Sequence, residues 1–190
     1  MNGKIVIVDD EAITRIDIRG QLQSVGYEVV GEAADGFEAI RVCKKTLPDV
    51  VIMDIQMPNL DGLRAGKKIV QDKLANSLVF LSAYNDIEYT TNAKKIGAIG
   101  YLVKPLDEKS LISTIEMSMA RGKEINQMLI EIENLKNKLA ERKIIERAKG
   151  VLSREKGLSE GEAYQMLRQL SMDKRCKMSE IAESIIIDEI

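Results

Sequence analysis

The stretch VVIMDIQMPNLDG, residues 50–62, decides the fold that this sequence predicts. Its first four residues form a short β-branched and apolar run, which is typical of a buried strand. Asp54 ends the run, and after a Met-Pro turn a helix-length amphipathic segment begins at Gly62. A buried strand followed by a turn and a helix is the repeating element of a parallel α/β sheet.

The same alternation of strand and helix is repeated five times within residues 1–120. The predicted strands lie at residues 4–8, 29–33, 50–53, 78–81 and 99–103. The predicted helices lie near residues 12–25, 37–46, 62–74, 86–96 and 107–120. We therefore expect an α/β fold, a doubly wound five-stranded parallel sheet, with functional residues at the carboxyl ends of its strands.

Composition excludes several classes of protein. The chain has 190 residues, which at roughly 150 residues per domain allows one medium domain and a smaller one. It contains no His, which excludes His-based triads, His general bases and His metal ligands. Its two cysteines, Cys43 and Cys176, are too far apart in the chain to indicate a disulfide framework or a zinc site. No apolar run approaches the roughly 20 residues that span a bilayer, so we expect a cytoplasmic protein without a membrane partner.

Charge is distributed unevenly along the chain. The totals of 28 basic and 30 acidic residues argue against a protein that coats nucleic acid along its whole length. Residues 1–120 hold 14 basic and 17 acidic residues, a net charge of −3. Residues 142–177 hold 10 basic and 5 acidic residues, a net charge of +5. An acidic part joined to a locally basic part indicates two separate roles.

Five polar residues stand at the ends of the predicted strands: Asp9, Asp10, Asp54, Ser82 and Lys104. Each alone is most often an ordinary loop residue, but five at successive strand ends of one sheet indicate a shared site. Three carboxylates in one crevice repel each other unless a cation is present, and an all-oxygen set favours Mg²⁺. A carboxylate beside Mg²⁺ can attack a phosphoryl group, whose oxygens a lysine and a hydroxyl would then bind.

Four blocks of this region carry a resemblance to a known family: IVIVDDEA at 5–12, VVIMDIQMPNLDG at 50–62, FLSAY at 80–84 and GYLVKP at 100–105. In order and spacing they resemble the receiver domain of response regulators, over about residues 1–120. The resemblance implies that Asp54 is the phospho-acceptor, and that Asp9, Asp10, Asp54 and the main-chain carbonyl of Gln56 bind Mg²⁺. It also implies that a sensor histidine kinase donates the phosphoryl group, and that the chain is not itself a turnover enzyme.

The resemblance gives roles to three further residues. Ser82 and Lys104 would bind the phosphoryl group, and Tyr101 would be the aromatic switch that responds to it. The alternative for Tyr101 is a half-buried strand residue without a switching role. In the family, phosphorylation reshapes the surface around the fifth strand and commonly promotes dimerisation.

Residues 121–140 form the predicted link between the two parts of the chain. Their apolar residues follow the alternating spacing of three and four that is typical of a coiled coil: Ile125, Met128, Ile132, Leu135 and Leu139. Gly122 alone interrupts this helical run. We expect a coiled-coil linker helix whose short seam suits a phosphorylation-promoted homodimer. The alternative is a helix that packs on its own first domain.

Residues 141–190 are predicted to form a small three-helix bundle. The first helix continues to about residue 155, with Gly157 as its C-terminal cap. Ser159 and Glu162 have the spacing of a capping box that opens the second helix, and the third helix lies near residues 178–187.

The surface of this bundle suggests its ligand. Arg142, Lys149 and Lys156 recur every seven residues, and Tyr164 and Arg168 lie one helical turn apart. A tyrosine beside cations suits single-stranded RNA, because its ring stacks on an unpaired base while the cations meet phosphates. The alternative is a solvated basic face with a tyrosine in the core.

The segment ERAKGVLSREKGLSEGEAYQMLRQLSMDKRCKMSEIAESI, residues 146–185, resembles the ANTAR domain of transcription antitermination regulators. The resemblance spans roughly residues 135–187 and implies binding to paired hairpins in nascent leader mRNA, which keeps an intrinsic terminator from forming. The implied contact residues are Lys149, Tyr164, Arg168, Arg147 and Lys177. With every residue of its acidic pocket in place, the chain looks most like the ethanolamine-utilisation antiterminator type.

The sequence therefore predicts a phosphorylation-activated antiterminator with a receiver domain at 1–120, a linker at 121–140 and an RNA-binding domain at 141–190. Two alternatives remain. One is a DNA-binding transcription factor, although the last two helices carry no dense Arg, Lys and Asn face for a major groove. The other is a regulator whose basic bundle binds an acidic protein.

Overall fold

The computed structural model describes residues 3–83 and 87–188. Five parallel strands form one sheet in the order β2-β1-β3-β4-β5. The strands are β1 Lys4–Val8, β2 Glu28–Ala33, β3 Val50–Asp54, β4 Ser77–Ser82 and β5 Gly100–Val103. The doubly wound sheet that the sequence predicts is confirmed, with each strand end within one residue of its predicted position.

Seven helices are described in the same residues. They are α1 Ala12–Ser24, α2 Gly36–Thr46, α3 Gly62–Gln71, α4 Ile87–Ile96, α5 Glu108–Lys156, α6 Glu160–Lys174 and α7 Met178–Asp188. The predicted start of the fourth helix at residue 86 lies outside the described residues. The chain divides into two compact units between Gln127 and Met128, and each unit is described by itself below.

The sheet of the first unit is covered on both faces because alternate strand residues point to opposite sides. In β1, Val6 and Val8 face the cluster that contains buried residues of α2, α3 and α4. Ile5 and Ile7 face the other cluster, which is built from residues of α1 and the first turns of α5. All four side chains are fully buried, as expected for a strand in the middle of a parallel sheet.

The order of the strands sets the position of the functional site. The chain runs from β1 outward to β2, and then crosses to β3 on the opposite side of β1. Connections therefore leave β1 and β3 in opposite directions, which opens a crevice at their carboxyl ends. In the register of these strands Val8 pairs with Met53, so the residues that follow each of them meet at this crevice.

The helix α5 covers the predicted fifth helix of the first domain, the predicted linker helix and the first helix of the predicted bundle. It is one helix of 49 residues, and Gly122 lies within it. The glycine is explained by packing, because a Cβ atom at this position would lie 2.1 Å from the Oγ atom of Ser77. The Ser77 hydroxyl donates a buried hydrogen bond of 2.6 Å to the carbonyl of Ser118, one turn earlier in α5. Gly122 thus permits a close contact and does not interrupt the helix.

The second unit is the predicted three-helix bundle, formed by the end of α5 with α6 and α7. Its fully covered residues come from all three helices and include Ala148, Leu152, Ala163, Leu167 and Ala182. Gly157, after α5, has a φ of +66°, as expected for a glycine cap. The predicted capping box of Ser159 and Glu162 is present at the start of α6.

Candidate functional site

Three carboxylates meet in the crevice between β1 and β3. Asp54 ends β3 and Asp9 follows β1 directly, while Asp10 is the next residue along the chain. One oxygen atom of each of the three lies within 4.8 Å of the others. Asp9 and Asp54 are 0% and 6% exposed, whereas Asp10 is exposed at the mouth of the crevice. The acidic pocket that the strand ends predict is therefore present in the structure.

Lys104 lies across this pocket. Its Nζ atom is 2.7 Å from Oδ2 of Asp9 and 2.8 Å from Oδ2 of Asp54. Burial by itself would lower the pKa of Lys104, but its hydrogen bonds and ion pairs with the two carboxylates outweigh burial and raise that pKa. Burial raises the pKa of Asp9, and the neighbouring Lys104 opposes only part of that increase. Three carboxyl groups therefore share one ammonium group in this pocket.

The residues present fit a hard divalent cation. Apart from the ammonium of Lys104, Oδ2 of Asp9 is a buried oxygen without a hydrogen-bond partner among the described residues. The neighbouring Asp10 carboxylate is open to solvent, which provides an entry path. Buried and exposed carboxylate oxygens together form the ligand type that Mg²⁺ prefers. Asp9, Asp10 and Asp54 would hold the ion, with the carbonyl of Gln56 as the fourth ligand that the sequence predicts.

The loop after β3 is held tightly against the strand. The N–H of Gly62 donates to the carbonyl of Ile55 over 2.9 Å. A Cβ atom at Gly62 would lie 1.9 Å from the carbonyl oxygen of Asp54, so only glycine allows this approach. The Asp61 side chain caps α3 by accepting from the N–H of Arg64 at 2.8 Å. This loop therefore fixes the main chain of Asp54.

Arg15 is a functional candidate that the sequence analysis missed. From α1, its Nη1 atom donates to the main-chain carbonyl of Asp9 at 2.6 Å, and its Nε atom donates to Glu32 at 3.2 Å. Glu32 also accepts from Arg19 at 2.6 Å. The Arg15–Glu32 pair thereby fixes the main chain that carries Asp9 and Asp10. Spacing alone did not indicate this role, because an arginine on an exposed helix is usually solvated.

The other predicted receiver residues lie at the same edge of the sheet. Ser82 ends β4 and is buried, and its carbonyl accepts from the N–H of Lys104 at 2.8 Å. Tyr101 in β5 pairs in register with Phe80 and is half-buried. This position is compatible with an aromatic switch and also with a strand residue that has no switching role. The switching role of Tyr101 therefore stays a prediction.

A cleft of about 740 Å³ opens beside the acidic pocket. Asp10 and Gln56 line it from the loops after β1 and β3, and Tyr89 lines it from α4. The Gln56 amide donates to the hydroxyl of Tyr89 over 3.3 Å. Because Asp10 belongs to both the cleft and the carboxylate cluster, a small phosphodonor could reach the acidic pocket through this opening.

In the second unit, Tyr164 and Arg168 lie one turn apart on α6 and both are exposed, Tyr164 by 41%. The alternative that Tyr164 belongs to the core is therefore wrong. Within the described part of the chain, no carboxylate pairs with Arg168. Together the two side chains offer an open aromatic ring beside an unneutralised cation, which is the pattern that stacks and neutralises single-stranded nucleic acid.

Lys149 is less available than the sequence suggested. Its side chain is only 12% exposed, and its Nζ atom lies 2.8 Å from Glu146 and 3.6 Å from Glu160. The hydrogen bond to Glu146 is the main reason that the pKa of Lys149 is raised. Lys149 therefore links α5 to the start of α6, and it would reach a ligand only if one of these ion pairs opened.

The remaining predicted contacts are more open. Arg147 is exposed on α5, and the described residues provide no carboxylate partner for it. The side chain of Lys177 is 74% exposed and lies 3.8 Å from Glu141, at the limit of an ion pair. These two cations are available to a ligand at little electrostatic cost.

The predicted coiled-coil residues form an exposed apolar stripe on α5. Between 38% and 57% of each side chain is accessible in Ile125, Met128, Ile132, Leu135 and Leu139. The coiled-coil seam stays a prediction, and so does the alternative of a helix that packs on its own first domain. In the described part of the chain, no helix is both long enough and apolar enough to cross a membrane.

Comparison with known proteins gives a family match in each of the two units. Residues 5–116 match the family described as the response regulator receiver domain, and residues 133–186 match the ANTAR domain. The chain is 38% identical over 183 residues to the transcriptional regulatory protein PdtaR of Mycobacterium tuberculosis, which covers 96% of this chain and 89% of that protein. It is 34% identical over 115 residues to the chemotaxis protein CheY of Thermotoga maritima, which covers 60% of this chain and 96% of that protein.

Solved structures of receiver domains superpose on the first unit. The response regulator domain of Thermotoga maritima CheB superposes with a TM-score of 0.59 at 29% identity, covering 63% of this chain and 98% of that one. A response regulator receiver domain protein from Clostridium thermocellum superposes with a TM-score of 0.60 at 29% identity, covering 65% of this chain and 98% of that one.

Proposed function

This chain belongs to the response regulators that join a receiver domain to an ANTAR domain, and from that premise we propose that it is a phosphorylation-activated regulator of transcription termination. Its ligand would be a pair of hairpins in nascent leader RNA. The observation that carries the proposal is the presence, in one chain, of a complete acidic pocket and of a helical bundle with the exposed pair Tyr164 and Arg168. The likeness to the ethanolamine-utilisation type stays a prediction.

The proposed input is transfer of a phosphoryl group to Asp54. A carboxylate oxygen of Asp54 forms a bond to phosphorus. At the same time the bond between phosphorus and nitrogen breaks in a phosphohistidine of a sensor histidine kinase, and the imidazole leaves. Mg²⁺ at the three carboxylates would neutralise the phosphoryl oxygens during transfer. Lys104, released from Asp54, would pair with the new phosphoryl group, and Ser82 would hydrogen-bond to it. We propose that the chain accepts one phosphoryl group and later loses it, so that it acts as a regulator and not as a turnover enzyme.

The proposed output is contact with unpaired RNA bases. Tyr164 offers a ring for stacking, and Arg168, Arg147 and Lys177 offer cations to phosphates. Lys149 would join them only after it leaves Glu146 or Glu160.

Dimerisation would connect input to output. The apolar stripe on α5 from Ile125 to Leu139 spans only two to three heptads, so a pair of such helices is weak by itself. A small free-energy contribution from phosphorylated receivers would then decide whether the homodimer forms. Two ANTAR domains in one dimer bind two linked hairpins with a higher effective affinity than either has alone.

A gel shift tests this proposal with the full-length chain and an RNA that contains two adjacent hairpins. Binding should strengthen when Mg²⁺ and a small-molecule phosphodonor are added, and Asp54→Ala should abolish that increase. Duplex DNA in the same gel tests the alternative of a transcription factor that binds DNA. Absence of RNA binding in both states would reject the proposed output and favour a protein partner for the basic bundle.

A further inference from the structure

A groove of about 420 Å³ lies between α3 and α4 in the first unit. We call it the α3–α4 groove and define it by two apolar and three basic lining residues, Leu63, Ile96, Arg64, Lys67 and Lys95. At its Leu63 end it meets the cleft beside the acidic pocket, because Leu63 and Arg64 line both openings. None of these five side chains belongs to the carboxylate cluster or to the proposed RNA contacts.

The two apolar residues lie at opposite ends of the groove. Leu63 is in the first turn of α3, Ile96 is the last residue of α4, and both are half-buried against the core of the first unit. The two helices run in the same direction, because they follow the neighbouring parallel strands β3 and β4. At a rise of 1.5 Å per residue, the apolar contacts are therefore roughly 12 Å apart along the groove.

The charge of the groove is positive on both walls. Arg64 and Lys67 on α3 and Lys95 on α4 are exposed, and no described carboxylate lines the groove. Arg64 lies 3.2 Å from Asp61, but its side chain is 79% exposed, so that this ion pair is weak. Over residues 3–83 and 87–188, Lys67 and Lys95 have no ion pair. The groove thus presents two separated apolar contacts between basic walls.

This combination selects among ligands. A single anion or nucleobase is too short to reach both Leu63 and Ile96. An RNA strand offers phosphates to the cations, but its bases stack on aromatic side chains, and the apolar residues of this groove are aliphatic. A two-fold contact with a second copy would bring the same cations of both chains together, since such an interface uses one surface twice.

An α-helix laid along the groove meets none of these difficulties. Side chains seven residues apart lie on the same face of a helix and about 10.5 Å apart, close to the separation of the two apolar contacts. Acidic side chains on both flanks of that face would then meet the basic walls. Spacing and charge therefore favour the same kind of partner.

We propose that the α3–α4 groove binds an acidic amphipathic helix of a partner protein, an inference that does not depend on the proposed RNA-binding function. Two apolar residues of that helix, seven apart, contact Leu63 and Ile96. Its carboxylates on one flank pair with Arg64 and Lys67, and those on the other flank pair with Lys95. The apolar contacts supply affinity, and the ion pairs select an acidic partner and fix its position.

The test uses the full-length chain and a fluorescently labelled helical peptide of about 18 residues, long enough to be helical in water. The peptide carries two leucines seven residues apart and glutamates on both sides of them. A control peptide of the same composition carries its second leucine on the opposite face. Anisotropy titration should give about tenfold tighter binding of the first peptide, because the control loses one apolar contact.

The basic walls are tested by reversing charge. Lys67→Glu combined with Lys95→Glu should weaken binding of the first peptide about tenfold, because two weak attractions become repulsions. Lys44→Glu combined with Lys45→Glu is the matched control, since it reverses two exposed lysines of α2 outside the groove and should change affinity less than about twofold. A peptide with lysine in place of glutamate should prefer the Lys67→Glu and Lys95→Glu variant to the wild type. Circular dichroism of each variant shows that the fold is retained.

Four outcomes would reject the groove as a helix-binding site. In the first, the wild type binds neither peptide. In the second, both peptides bind equally, so that no helical face is recognised. In the third, the two double variants lose equal affinity, which would indicate attraction by net charge alone. In the fourth, a two-hairpin RNA displaces the peptide and loses affinity in the Lys67→Glu and Lys95→Glu variant, which would make the groove a surface for RNA.

Discussion

The Nζ atom of Lys104 lies 2.8 Å from Oδ2 of Asp54, although β4 runs between the strands that carry these two residues. The long lysine side chain reaches from the end of β5 to the end of β3, and it also contacts Asp9. A change in charge at Asp54 therefore acts directly on the ammonium group of Lys104.

The first prediction concerns this lysine. Lys104→Met should lower the free energy of unfolding by about 2 kcal/mol in a chelator, because two carboxylates lose their ammonium partner. The loss stays below that of a fully buried pair, since the Lys104 side chain is 20% exposed. Adding Mg²⁺ should recover more stability in the variant than in the wild type, because the ion no longer competes with the ammonium.

Urea unfolding with and without Mg²⁺ measures this difference. Lys67→Met is a suitable control, as Lys67 is exposed and has no ion pair among the described residues. Equal gains from Mg²⁺ in the wild type and in Lys104→Met would contradict the argument.

The second prediction concerns Arg15. Arg15→Lys should weaken Mg²⁺ binding about tenfold, because one ammonium cannot replace the two donors that join Glu32 to the carbonyl of Asp9. Arg19→Lys is the matched control, since Arg19 contacts the same Glu32 carboxylate but not the Asp9 main chain. Titration calorimetry with Mg²⁺ measures both variants. If they lose affinity equally, Arg15 acts only through Glu32.

The third prediction uses the cap of α2, outside the acidic pocket. The N–H of Glu38 donates to Asp35 at 2.8 Å, and this bond, aided by the amide of Asn59, lowers the pKa of Asp35 from its ordinary value of 3.8. A carboxyl whose pKa is lowered by folding stabilises the fold above its unfolded pKa, and that contribution is lost as pH falls through the folded value.

Asp35→Ala should therefore be less stable than the wild type by a constant amount from pH 7 down to about pH 4, and by less at lower pH. Urea midpoints across this range give the difference. Asp17→Asn is a control that removes an exposed carboxylate from α1 without removing a helix cap. A difference that stays constant below pH 3 would show that the cap does not depend on charge.

The fourth prediction compares two glycines of α5. Gly150→Ala should stabilise the chain by about 1 kcal/mol, because nothing lies within 4 Å of the new methyl group and alanine favours the helix. Gly122→Ala should destabilise it, since its methyl group would lie 2.1 Å from Ser77 Oγ. Ser77→Ala in the same chain should relieve part of that cost. Thermal unfolding of the single and double variants tests the comparison, and stabilisation by Gly122→Ala would show that the contact is not needed.

The fifth prediction concerns Tyr164. Tyr164→Ala should weaken binding to a two-hairpin RNA about tenfold, the cost of one lost stacking contact, whereas Tyr164→Phe should retain most of the affinity. Anisotropy titration distinguishes the two variants. If phenylalanine binds as weakly as alanine, the hydroxyl group and not the ring makes the contact.

The sequence predicted the sheet and the acidic pocket because both depend on local patterns. Short apolar runs mark the strands, and residues at their ends meet wherever the strands are parallel.

Lys149 shows the limit of this reasoning. Its seven-residue spacing from Arg142 predicted a shared basic face, but spacing within α5 gives no information about Glu160, which belongs to another helix. A cation is free or paired according to the residues that folding brings beside it.

Gly122 shows a second limit. A glycine costs a helix about 1 kcal/mol relative to alanine, so from sequence it is an interruption. The structure places it where α5 passes the start of β4, and there a larger residue would collide with Ser77. Long-range packing of this kind outweighs local propensity, and no pattern within the helix reveals it.

The close approach of Gly62 to the carbonyl of Asp54 determines when the loop after β3 loses its conformational entropy. The loop after β3 is ordered by main-chain contacts that involve none of the charged side chains of the pocket. The conformational freedom of that loop is therefore lost once, when the protein folds, and is not lost again in the proposed phosphorylation. Any larger residue at position 62 would move this loss into the reaction itself, and the rate of phosphorylation would fall even though every charged group of the pocket remained.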